Sequence, residues 1–103
     1  MLNQSIVVGR LVEEPITKEK EGMKVTTIKI AVPRSFKNEE GIYDTDFIKC
    51  TLYEGIATNV KEYCRKGDVL RVKGRLECLS NEELRLIAEK VTFLSSGKKV
   101  EEE

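Results

Sequence analysis

Thr45-Asp46-Phe47-Ile48-Lys49-Cys50-Thr51-Leu52-Tyr53-Glu54 is rich in aromatic and β-branched side chains and holds neither glycine nor proline. That composition predicts a β-strand. Successive strand residues point to opposite faces, so Ile48, Cys50 and Leu52 form an apolar inner face, and Phe47, Lys49, Thr51 and Tyr53 form an outer one. Two rings flanking an ammonium group make a poor solvent face. They suit an unpaired nucleic-acid strand, whose bases stack on rings and whose phosphates attract cations. The competing reading packs Phe47 or Tyr53 beneath a loop or into a subunit contact.

Upstream, Arg34 to Asp44 reads as a loop with a flexible polar tip at Asn38–Gly41. Phe36 lies in it between Arg34 and Lys37. It either clamps an unstacked base among cations or folds back onto the sheet. Met23 to Val32 reads as a strand, with Ile28, Ile30 and Val32 on one face, Thr27, Lys29 and Ala31 on the other, and Pro33 as its end. Glu19–Gly22 reads as a hairpin connection. Ser5 to Glu14 is the first strand, and Gly9 inside its apolar run marks a bulge or a close backbone approach.

Downstream, Ile56, Ala57, Val60, Tyr63 and Cys64 recur at helical spacing and predict a short core-facing helix, with Tyr63 on its apolar face and Gly67 as its C-terminal stop. Val69 to Glu77 alternates again: Leu70, Val72, Gly74 and Leu76 against Arg71, Lys73 and Arg75. Three cations on one strand face repel each other, and an anionic partner would relieve them; a face solvated beside acidic neighbours is the alternative. Leu84 to Leu94 fits both periods, and its β-branched end and its place after a strand favour strand.

One domain is the expectation at 103 residues. We expect residues 1–95 to form that domain and residues 96–103, a polar stretch ending Glu101-Glu102-Glu103, to be a disordered acidic tail. No apolar run is long enough to span a membrane and no signal-peptide pattern opens the chain. The net charge is zero, but it is unevenly spread: residues 1–76 carry 14 Lys and Arg against 11 Asp and Glu, and residues 77–103 carry 4 against 7. A basic surface is therefore permitted. Cys50, Cys64 and Cys78 form no close pair and no histidine accompanies them, so they read as buried reduced thiols of a cytoplasmic protein rather than as zinc ligands. No cofactor is expected. No nucleophile motif, metal cluster or phosphate loop proposes a reaction, so an enzyme is not expected either.

Three strands, a short helix and two further strands give an all-β OB-fold, a five-stranded Greek-key barrel with its helix between strands three and four. Several segments carry a family likeness. Met1–Leu11, Ala31–Asn38, Asp46–Cys50, the Lys-Gly and Gly-Arg-Leu within Tyr63–Leu76, and Val91–Leu94 together resemble bacterial single-stranded DNA-binding proteins. The resemblance implies single-stranded DNA binding without strong sequence preference, in replication, recombination or repair, at the nucleoid. It further implies a homo-oligomer, tetramer or dimer, assembled through the first strand. Phe36, Phe47 and Tyr53 match positions where rings of that family stack on bases, two of them commonly tryptophan there. The short acidic Glu77–Glu83 replaces a long basic hairpin, and a tail motif ending Pro-Phe is missing. The chain thus looks like a short tail-less member.

The residues expected to meet DNA are Arg34, Phe36, Lys37, Phe47, Lys49, Tyr53, Arg71, Lys73 and Arg75. The alternative, prompted by zero net charge, is an OB-fold interaction module of a replication, recombination or primosome assembly that binds DNA weakly.

Overall fold

The computed structural model describes residues 1–97, and its elements follow from the alternation already visible in the sequence. They run β1 (Ser5–Leu11), β2 (Ile16–Lys20), β3 (Met23–Lys37), β4 (Tyr43–Tyr53), α1 (Glu54–Tyr63), β5 (Val69–Cys78) and β6 (Leu84–Ser95). Strand order is β1-β5-β6-β4-β3-β2, and a further β1–β3 pairing closes the five strands other than β2 into a barrel. The OB-fold expectation holds. The ambiguous segment from Leu84 is strand throughout.

Alternation decides the interior. Ile28 and Ile30 of β3, Cys50 and Leu52 of β4, Leu70 and Val72 of β5, and Leu86 of β6 are fully or almost fully buried, joined by Leu11 and by Ala57 and Val60 of α1. Each large aliphatic side chain so buried contributes ~1.5–3 kcal/mol. Gly9 lies where β1 crosses β3, and a Cβ there would collide with the Ala31 carbonyl and the Ile30 side chain. The expected close backbone approach is therefore real.

Several expectations are corrected. The first strand stops at Leu11, and Ile16–Lys20 forms an additional strand paired with β3. Its five residues are all exposed, so no alternation announces it; backbone pairing with β3 and one hydroxyl–hydroxyl hydrogen bond, Thr17 to Thr26 (2.8 Å), hold it. Glu21 (φ 55°) and Gly22 (φ 81°) make the tight two-residue turn between them. With that strand counted, α1 lies between the fourth and fifth strands rather than the third and fourth. β3 runs past Pro33, since beyond Ala31 it no longer pairs with β1, and an edge tolerates the missing donor. α1 ends at Tyr63 before an extended Cys64, and Gly67 belongs to the turn entering β5, where its amide donates to the Leu11 carbonyl (2.7 Å). Tyr63 is 70% exposed, not on the core face.

Cys50 and Cys64 are buried and free as expected, and burial pushes the Cys50 thiol up to about 12. Cys78 is exposed: it keeps the phase of Leu70 and Val72 but lies at the end of β5, past the buried core. The Gly97 amide donates to Asp68 (3.1 Å). The rest of the expected tail, residues 98–103, lies outside the described residues. Among those described, no helix is long and apolar enough to cross a membrane, and no group of His, Cys, Asp or Glu could hold a metal ion.

Candidate functional site

Residue pairing across the sheet builds the site. On β4, Phe47 stands opposite Ala31, Lys49 opposite Lys29, and Thr51 opposite Thr27, all across β3. On its other side Thr51 is level with Ile87 of β6, which in turn faces Arg75 of β5. Directly opposed residues share a face, so these positions of β3, β4, β6 and β5 lie on one side of the sheet, with Thr51 and Ile87 themselves buried within it. A groove of about 630 Å³ runs over it, lined by Phe47, Lys49 and Thr51 on one side and by Leu76, Leu84 and Arg85 on the other.

Phe47 is 61% exposed, so its ring is neither in the core nor beneath a loop. Tyr53 is half-buried at the start of α1, with its hydroxyl 3.4 Å from Nη2 of Arg85. Lys29 and Lys49 are opposed like charges, a destabilising arrangement that an anion between them relieves. The ion pairs among the described residues involve only Arg34, Arg75 and Arg85, so neither lysine has a carboxylate partner there.

The stretch from Arg34 to Asp44 is not a loop but the outer part of a β-ribbon. Between Pro33 and Lys37 the register slips: two extra residues of β3 bulge out, and Phe36 sits there, 63% exposed. It does not fold back. The tip is tied rather than loose: Asn38 Oδ1 accepts from the amides of Glu40 (2.8 Å) and Ile42 (3.0 Å), and Asn38 Nδ2 donates to Asp44 (3.1 Å). Lys37 lies over the Tyr43 ring, 5.7 Å from its centre, a cation–π contact.

The arginines are less available than the sequence implied. Arg34 forks onto Asp46, with Nη2 2.9 Å and Nε 3.1 Å from its two oxygens, and Asp44 is 3.9 Å away. This hydrogen-bonded pairing holds the Asp46 carboxyl below its ordinary range and raises the Arg34 pKa. Glu77 binds two arginines: Arg85 through Nη2 (2.7 Å) and Nε (3.2 Å), and Arg75 through Nη1 (3.1 Å). Arg85 first, then Arg75, hold the Glu77 carboxyl below the usual carboxylate range.

Of the nine residues expected from sequence, Phe47 and Lys49 line the groove, Tyr53 follows on the same phase of β4 and meets the groove's Arg85, Arg75 lies beside it, and Arg34, Phe36 and Lys37 lie along the ribbon. Arg71 and Lys73 stand apart, facing the exposed Val8 and Ile6 of β1. Sequence reasoning passed over Lys29, Arg85 and Tyr43. Lys29 was legible as outward but not as Lys49's opposite, which only the register reveals. Arg85 was hidden in the segment of ambiguous period, and Tyr43 in the supposed loop.

The single-strand binding protein family model matches residues 2–94. The chain is 40% identical over 83 residues to single-stranded DNA-binding protein B of Bacillus subtilis (strain 168), covering 80% of this chain and 74% of that protein. It is 38% identical to single-stranded DNA-binding protein 2 of Staphylococcus aureus (strain COL), covering 91% and 74%. Some relatives are longer: the chain spans 46% of the single-stranded DNA-binding protein of Bacillus cereus (strain ATCC 14579), at 40% identity over 75% of this chain. Among solved structures, a Plasmodium falciparum SSB in complex with ssDNA is similar at TM-score 0.79 and 26% identity, over 92% of this chain and 96% of that one.

Proposed function

Since the chain belongs to the single-strand binding protein family, we propose that it binds single-stranded DNA along the outer face of β3 and β4, without catalysis and without strong sequence preference. The observation that carries the reading is the face of β3 and β4 on which the exposed Phe47 ring and Lys49, both lining the groove, stand with Lys29, the residue opposite Lys49. Bases stack on Phe47, Phe36 and Tyr53, and phosphates bridge the lysines. The solved Plasmodium relative with its bound ssDNA supports the same ligand. Replication, recombination and repair are the processes such binding serves.

Fluorescence anisotropy with labelled oligo-dT, beside a duplex of equal length, tests it. Phe47→Ala and Phe36→Ala each lower single-strand affinity roughly 5- to 150-fold, the equivalent of ~1–3 kcal/mol per stacked base. Unchanged affinity in folded variants sinks the stacking reading. No single-strand binding even at low salt favours the interaction-module alternative, to which the carboxylate-paired arginines give some weight.

We further infer self-association through β1. Between Ser5 and Gly9 this strand pairs only with β5, since its β3 contacts begin at Arg10. Its outer face there presents Ile6 and Val8, each nearly half exposed. A second copy can continue the free edge and cover both side chains.

A further inference from the structure

Arg75 and Arg85 enter the same cluster from neighbouring strands, and Glu77 lies between them. Arg85 also reaches the Tyr53 hydroxyl and lines the groove beside Lys49. Two guanidinium groups converging on one oxyanion, one of them touching a phenol hydroxyl at its edge, suit a phosphate as well as a carboxylate. We propose that Arg75, Arg85 and the Tyr53 hydroxyl form a seat for one phosphate of a bound strand, and that Glu77 fills this seat while the protein is free. The proposal rests on the single-stranded DNA reading above.

Three features support the exchange. Two guanidinium groups share the one close carboxylate: Arg75 reaches Glu89 only at 4.0 Å, and Arg85 has no carboxylate but Glu77 among the described residues. Each guanidinium offers five N–H donors, of which Arg85 spends two on Glu77 and Arg75 one. Finally, the side chains are 30–43% exposed, so an incoming phosphate reaches them and the displaced carboxylate can turn to water. Pairs of that exposure contribute little to folding, which makes a change of partner inexpensive.

The test measures labelled oligo-dT of about 20 nucleotides, longer than the ~4–16 one such fold covers, against the full chain from about 50 to 200 mM salt. Glu77→Gln frees the seat: it tightens binding about tenfold at low salt and steepens the logarithmic salt dependence by ~0.7 for each phosphate gained. Arg85→Gln weakens binding and flattens that dependence, and the double variant loses the gain of E77Q. If E77Q leaves affinity and salt dependence unchanged, or weakens binding in a folded protein, Glu77 only braces two strands and the proposal is overturned. Should E77Q fail to fold, R85Q decides alone, and an unaltered salt dependence overturns it. A wild-type chain that ignores oligo-dT brings down the functional reading itself, an outcome distinct from all of these.

Discussion

Phe47 is held in water by the phase of its own strand: Ile48, Cys50 and Leu52 fill the opposite face, and shifting the strand to hide the ring would expose all three. Asp46 shares the phase of Ile48 but lies farther out along β4, past the buried core, where Arg34 bonds it. Because the Asp46 carboxyl titrates below its ordinary range in the folded protein, its contribution to stability is complete above the unfolded value of ~3.9 and disappears as pH falls through the lower native value. Asp46→Asn removes it. We expect the urea midpoints of wild type and D46N to differ at neutral pH and to converge under strong acid, with added salt narrowing the neutral gap. An equal gap at both extremes would mean that the pair contributes nothing linked to protonation.

At the scale of elements, the β3–β4 ribbon extends Phe36 well beyond the barrel wall, so the ring is useful only if the ribbon keeps its shape. Asn38 does most of this, receiving two amides and donating across to Asp44. Replacing it by alanine removes three hydrogen bonds at an exposed turn. Hydrogen exchange at Glu40, Gly41 and Ile42 should accelerate while that of β5 and β6 stays unchanged, and oligo-dT affinity should fall severalfold. Acceleration spread over the whole sheet would show instead that the turn and the barrel open as one unit. The ribbon also explains why a loop was expected there: Pro33 and the polar run Asn38–Gly41 signal interruption, while the pairing of Lys37 with Tyr43 that restores the strands is formed across the turn.

For the whole molecule, zero net charge coexists with two opposed lysines on the β3–β4 face because acids and bases are sorted by pairing. Lys29 and Lys49 are left without carboxylate partners among the described residues, whereas Arg34, Arg75 and Arg85 are matched. The molecule also leaves part of a strand edge open at β1. If a second copy closes it, wild type sediments as an oligomer. Ile6→Lys with Val8→Lys should then give monomers with unchanged circular dichroism. Monomeric wild type at micromolar concentration would remove the β1 interface.

Much of this protein was legible in one dimension. A period of two with aliphatic residues on one phase identified β3, β4 and β5, and fixed which side of Phe47, Lys49 and Tyr53 faces outward, because a strand's alternation is a local property. Gly9 announced the crossing with β3 in the same way. Register and pairing were not local. That Lys29 opposes Lys49, that Glu77 binds Arg75 and Arg85, and that Arg71 and Lys73 part company from the groove depend on which strands become neighbours. The fully exposed β2 depended on this as well, for only its neighbour β3, through backbone pairing and the Thr17–Thr26 hydrogen bond, gives it a reason to be a strand.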